Sequence, residues 1–65
     1  MTQQEIEALI KKQMDFEFRE SIRCEESSVQ YAEKDGYTSH FYYDMATMFT
    51  HCWSVLRKLL KEIKK

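Results

Sequence analysis

The chain has 65 residues and a formal net charge of -1 at pH 7, with no proline, one glycine and two cysteines. A chain of this length forms one domain at most, and as a monomer it would bury only ~60% of the surface that its unfolded form exposes. Its 43% hydrophobic and 32% charged residues exclude collagen, a disulfide-rich toxin and classical disorder. Since no zinc cluster or disulfide framework can stabilise so small a core, we expect the chain to self-associate.

The first predicted element is a helix over residues 2–35. Thr2 stands three residues before Glu5, which is the spacing of a capping box at a helix N-terminus. Gly36 is expected to end this helix in the left-handed conformation, which only glycine adopts without a side-chain clash. A turn is therefore predicted over residues 36–38.

The second predicted element is a helix over residues 39–63, with Thr38 or Ser39 as its cap. Its apolar residues recur at alternating steps of three and four, which is typical of a helix that packs along its whole length. We predict that they form an oligomer interface, to which the first helix adds Phe18, Ile22 and Val29. The residues of the second helix in this set are Tyr42, Met45, Phe49, Cys52, Leu56, Leu59 and Ile63.

The two helices predict an all-α fold, an antiparallel two-helix hairpin completed as a homo-oligomeric bundle of four or more helices. Glu5 and Glu7 interrupt the start of the chain, which therefore lacks the pattern of a secretory leader, and we expect a cytoplasmic protein. No stretch reaches the ~20 apolar residues of a membrane-spanning helix. In a reducing compartment, Cys24 and Cys52 are expected to be free thiols, and a single bridge between them is the alternative.

Catalytic and metal-binding patterns are sparse. His40 and Asp44 lie one helical turn apart, but His51 lies ~10 Å further along the axis, too far to complete a metal site with them. We therefore interpret His40 and Asp44 as a surface pair and expect no metal and no cofactor. No catalytic triad can be assembled from these residues, so the chain is predicted to be a non-enzyme.

A candidate partner-binding surface lies around the turn, where Tyr37, His40 and Tyr43 are close in sequence. Tyrosine is enriched at recognition hot spots, and its ring can also stack on a nucleotide base. Arg19 and Arg23 are candidates for binding a phosphate. Glu25 interrupts the apolar rhythm of the first helix; it either forms a buried polar layer that binds a ligand or lies at the rim in contact with water.

These patterns predict a small interaction protein that binds and masks or inhibits another macromolecule, as regulatory and phage-encoded inhibitors do. An oligomeric binder that sequesters a nucleotide-like anion is the alternative. DNA binding is a weaker alternative, since the basic segment 57–65 has no second basic cluster to extend it.

Overall fold

The computed structural model describes residues 1–64, which form two helices that pack against each other as a hairpin. Helix α1 is Gln3–Tyr31 and helix α2 is Gly36–Ile63, and no strand occurs within residues 1–64. The Cα atoms extend over 49 × 15 × 12 Å. The all-α prediction and the packed helix pair are confirmed. In residues 1–64, neither helix has the length and the apolar character that crossing a bilayer requires.

The turn between the helices differs from the prediction. Helix α1 ends at Tyr31, and the N–H groups of Lys34 and Asp35 donate to the Tyr31 carbonyl at 3.1 and 2.8 Å. Gly36 has no positive φ and is the first residue of α2. The predicted bounds of helix 2–35 and helix 39–63, with a turn at 36–38, are therefore corrected by several residues.

Asp35, rather than Thr38 or Ser39, is the N-cap of α2. Its carboxylate accepts hydrogen bonds from the Thr38 hydroxyl at 2.7 Å and from the N–H groups of Tyr37 and Thr38 at 3.1 and 3.3 Å. These bonds satisfy amides that the first turn of a helix leaves unpaired. The predicted cap of α1 is correct: the Thr2 hydroxyl accepts from the Glu5 N–H at 3.1 Å.

Asp35 makes the stability of the hairpin sensitive to acid. The Thr38 hydroxyl, followed by the Thr38 and Tyr37 N–H groups, lowers the pKa of Asp35 below its ordinary value of 3.8. Because the pKa is lower in the folded state than in the unfolded state, the ionised carboxylate stabilises the fold at pH values above 3.8, the unfolded pKa. This contribution is lost as the pH falls through 3.8 towards the folded pKa. We expect Asp35→Ala to lower the melting temperature at pH 7 and to flatten its dependence between pH 5 and pH 3.

Asp35→Asn is the matched control, because asparagine caps helices nearly as well as aspartate but does not titrate. This variant should keep most of the melting temperature at pH 7 and share the flatter acid profile. Thermal unfolding followed by circular dichroism at several pH values measures both effects. An unchanged melting temperature in Asp35→Ala would show that the cap contributes nothing to stability.

The side of α2 that packs against α1, here called the seam, has heptad spacing. Its residues differ from the heptad predicted as an oligomer interface. The buried or half-buried positions of this seam are Ser39, Tyr42, Ala46, Phe49, Trp53, Leu56, Leu60 and Ile63. Ala46, Trp53 and Leu60 thus occupy places at which the sequence pattern indicated Met45, Cys52 and Leu59. Cys52 and Leu59 are exposed, and Met45 is half-buried.

Small side chains bring the helices together near the turn. Ser21, Cys24 and Ala46 are all buried. The Ser21 and Thr50 hydroxyl oxygens lie 2.8 Å apart, and the Ser39 hydroxyl donates to the Ser28 carbonyl at 2.7 Å. These hydrogen bonds satisfy polar groups that the close packing removes from water.

Aromatic pairs extend the contact between the helices. The rings of Tyr31 and Tyr42 stack with centroids 5.9 Å apart next to the turn. Further along, Phe16 meets Phe49 edge-on at 6.5 Å, and Phe18 lies 6.5 Å from Trp53. Such pairs stabilise a fold by about 0.5–1.5 kcal/mol beyond the area that they bury.

The residues that α1 is predicted to add to the oligomer interface lie outside the seam. Ile10 is buried and Met14 is half-buried, whereas Phe18, Ile22 and Val29 are exposed. The α1 side of the seam instead consists mainly of polar and small residues. The full set on this side is Glu7, Ile10, Met14, Glu17, Ser21, Cys24 and Ser28, of which Ile10 and Met14 are the large apolar members.

Glu17, like Glu7, is a carboxylate that enters this seam, whereas Glu25 is exposed. One oxygen of Glu17, Oε1, accepts from the Gln13 amide at 2.9 Å. The other, Oε2, is buried and has no hydrogen-bond partner among the described residues. Of the two interpretations of Glu25, the structure thus favours the one that leaves it in contact with water.

Candidate interaction surfaces

An exposed apolar face covers one side of the hairpin. On α2 it consists of side chains at steps of four, three, four, three and four, namely Phe41, Met45, Met48, Cys52, Val55 and Leu59. Met48 is 55% exposed and Val55 is 51% exposed. Phe16 contacts Phe49 beside this stripe, and Leu9, two helical turns from Phe16, lies on the same side of α1. We call this set the apolar face.

A groove runs along the opposite side of the hairpin. One cavity of about 240 Å³ is lined by Phe18, Ser21, Ile22, Glu25, Thr50 and Trp53. A second cavity of about 400 Å³ is lined by Glu25, Tyr43, Ala46, Thr47, Thr50 and His51. Because Glu25 and Thr50 line both cavities, the two adjoin, and we refer to them together as the groove.

The groove and the apolar face are separated by the helix geometry. Phe16 and Phe18 are two residues apart and therefore point ~200° apart around α1. They contact different rings of α2, Phe49 and Trp53 respectively. The hairpin therefore presents two distinct surfaces: one that carries the apolar stripe of α2 beside Leu9 and Phe16 of α1, and one that combines rings, hydroxyls and a carboxylate.

The structure brings together three of the six residues predicted to bind a partner. Glu25 and Tyr43 line the same cavity of the groove. The His40 ring stacks on Tyr43 with centroids 6.4 Å apart, and its Nε2 lies 3.5 Å from an Asp44 carboxylate oxygen. The predicted surface pair of His40 and Asp44 is thus present, with both side chains exposed.

The other three predicted residues lie away from the groove. Tyr37 is 88% exposed and lines neither of its cavities. Arg19 pairs with Asp15 at 2.7 Å, and Arg23 pairs with Glu20 at 2.6 Å. Both arginines therefore form ion pairs within α1. A role in binding for Tyr37, Arg19 and Arg23 stays a prediction.

A basic cavity near the end of α2 joins part of the basic segment 57–65 to Trp53, a combination that the sequence analysis does not predict. It has a volume of about 220 Å³ and is lined by Trp53, Ser54, Arg57, Lys58 and Lys61. The Arg57 guanidinium lies 5.4 Å from the centroid of the Trp53 ring, a cation–π distance. The tryptophan–arginine spacing of four residues is the sequence signal that could have identified this pair.

The two thiols lie in different environments. Both cysteines are free; Cys24 is 4% exposed, whereas Cys52 lies on the apolar face. Within residues 1–64 no three histidine, cysteine or acidic side chains are grouped as a metal ion would need. Comparison of the chain with protein-family models, with curated proteins and with solved structures finds no match.

Proposed function

We propose that the chain is a non-enzymatic interaction protein that uses its groove to bind and mask another macromolecule. The observation that carries this proposal is the composition of the groove, in which Trp53, Phe18 and Tyr43 are accessible beside the carboxylate of Glu25. Tryptophan and tyrosine are the residues most enriched at binding hot spots, because they bury a large area at a low entropic cost.

The charge of the groove favours a protein partner with a basic side chain. Glu25 lies where the two cavities meet, and no lysine or arginine among residues 1–64 lines either of them. The Glu25 carboxylate would repel a phosphate placed there, whereas it would form an ion pair with a lysine or arginine of the partner. We therefore propose a partner segment that inserts apolar side chains beside Phe18 and Ile22 and places a cation near Glu25.

Self-association is the second part of the proposal. A two-helix hairpin has a single contact layer, and the described residues of the same chain leave most of the apolar face exposed. Contiguous apolar surface of this kind typically marks an interface. We propose that copies of the chain cover this face and complete a bundle of four or more helices, which leaves the groove available for the partner.

The test of the groove compares variants as baits in a lysate of the native cell. Ile22→Asp and Glu25→Lys should each reduce the recovery of the partner at least about tenfold, as the loss of a hot spot does. Gln30→Asp is the control matched to Ile22→Asp, because it adds the same charge at an exposed position of α1 that does not line the groove. Recovery of the same proteins at the same level by the wild type and by all three variants would refute binding through the groove.

The basic cavity supports the alternative function, binding of a nucleotide-like anion. It combines an aromatic ring with the cations of Arg57, Lys58 and Lys61, which is the composition that stacks a base and neutralises a phosphate. A binder of this kind should be stabilised by the nucleotide, by an amount that rises with the logarithm of the nucleotide concentration above Kd. A panel of nucleotides in a thermal-shift assay, with Trp53→Ala and Arg57→Ala as variants, tests this alternative.

A further inference from the structure

We propose that the apolar face is covered by one second copy of the chain in the opposite orientation, with α2 of one subunit antiparallel to α2 of the other. This arrangement rests on the proposed self-association and specifies its geometry. It is carried by the size of the face, the spacing of its residues and the distribution of charge.

The size of the hairpin suits a dimer. The Cα atoms extend over 49 Å in length and 15 Å in width, so one long side of the molecule is a flat surface of roughly the ~800 Å² that each partner contributes to a standard interface. Such a surface accommodates one hairpin of equal length. A dimer built in this way has four helices and two layers, the usual form of a bundle.

The spacing of the α2 stripe is the same when read in either direction. Its steps of four, three, four, three and four are symmetric about position 50. A two-fold axis perpendicular to α2 at that level therefore places Phe41 opposite Leu59 of the second copy, and Met48 opposite Cys52 of the second copy. Every apolar residue of the stripe then meets an apolar residue, as a self-complementary interface requires.

Charge favours the opposite orientation of the two hairpins. The half next to the turn, residues 20–51, carries six acidic and two basic side chains. The described part of the other half, residues 1–19 and 52–64, carries five acidic and seven basic ones. Opposite orientation places each acidic half beside a basic half, whereas equal orientation places like charges together, which costs association energy.

The experiment measures subunit number and orientation separately. The mass of the full chain in solution, by native mass spectrometry and light scattering, should correspond to two subunits. Orientation is read from disulfides in the Cys52→Ser background, with Phe41→Cys in one preparation and Leu59→Cys in another. Positions 41 and 59 lie ~27 Å apart along α2, so the arrangements differ clearly.

In the proposed dimer, mild oxidation of the mixed preparations gives the 41–59 heterodimer, and neither variant alone is cross-linked. Cross-linking of Phe41→Cys with itself would overturn the orientation and leave self-association intact. Absence of any cross-link in variants whose mass is still that of a dimer would overturn the pairing of the two α2 helices. A monomer at micromolar concentration, or a number of subunits other than two, would overturn the dimer. Circular dichroism of each variant verifies that the helices are retained.

Discussion

Val55→Glu should convert the protein from a dimer into a monomer. In the proposed dimer Val55 lies opposite Met45 of the second copy, so the new carboxylate would be buried among apolar side chains without a partner. A loss of about 3 kcal/mol, the order found for unpaired buried charges, raises the dissociation constant of the dimer about 100-fold. Sedimentation velocity over a range of protein concentrations measures this shift.

His51→Glu is the control for this prediction. His51 lies one helical turn before Val55 and lines the groove, so a carboxylate there stays in water and should leave the dissociation constant nearly unchanged. Since Val55 is 51% exposed within one hairpin, Val55→Glu should retain its helices. An equal dissociation constant for both variants would argue against the apolar face as the interface.

Ala46→Leu should lower the free energy of unfolding by about 2 kcal/mol, in the range that overpacking of a close interior contact costs. Ala46 is 3% exposed, and its carbonyl lies 3.4 Å from the Ser21 hydroxyl of the opposite helix. On the side that faces Ser21, a leucine at this position has no room unless the helices separate. Urea unfolding of the wild type and the variant at one protein concentration measures the difference, since the stability of the proposed dimer would depend on concentration.

Thr47→Leu is the matched control for Ala46→Leu, because Thr47 is the next residue and is exposed. It adds the same side chain on the solvent side of α2 and should change the free energy of unfolding by less than about 0.5 kcal/mol. Equal losses in the two variants would show that the approach of α1 and α2 at Ala46 is not close enough to constrain side-chain size.

The fold could be predicted from the sequence because heptad spacing and the Thr2 cap are local signals. The turn was harder to place, since Asp35 and Gly36 fit two arrangements: a helix that ends at a left-handed glycine, or a helix that begins after an aspartate cap. The second arrangement is the one adopted, because the Asp35 carboxylate gains hydrogen bonds from Tyr37 and Thr38 that the first would not provide.

The register of the seam could not be read from α2 alone. This helix carries an inward heptad that includes Ala46 and Trp53, and an outward heptad that includes Met48 and Val55. The heptad predicted as an oligomer interface takes residues from both. The choice depends on α1, whose Ser21 and Cys24 fit against a small residue, and such complementarity between distant segments is not visible as periodicity.

The candidate site was foreseen only in part, for a similar reason. Glu25 and Tyr43 were recognised from their residue type and meet in one cavity of the groove. Arg19 and Arg23 were assigned to a ligand, although each has an acidic residue four or three positions away and pairs with it. Pairs at these spacings within one helix are close in space without any tertiary contact, so the sequence already contained this alternative.

Gly36 has a consequence for how related chains can be recognised. A Cβ added at this position would meet nothing within 4 Å, and the backbone has no positive φ there. Alanine or serine could therefore replace the only glycine of the chain without strain. The positions whose side-chain volume is constrained are those of Ser21, Cys24 and Ala46 in the seam. Distant relatives should therefore preserve small residues at the helix contact, whereas other residues can replace the glycine.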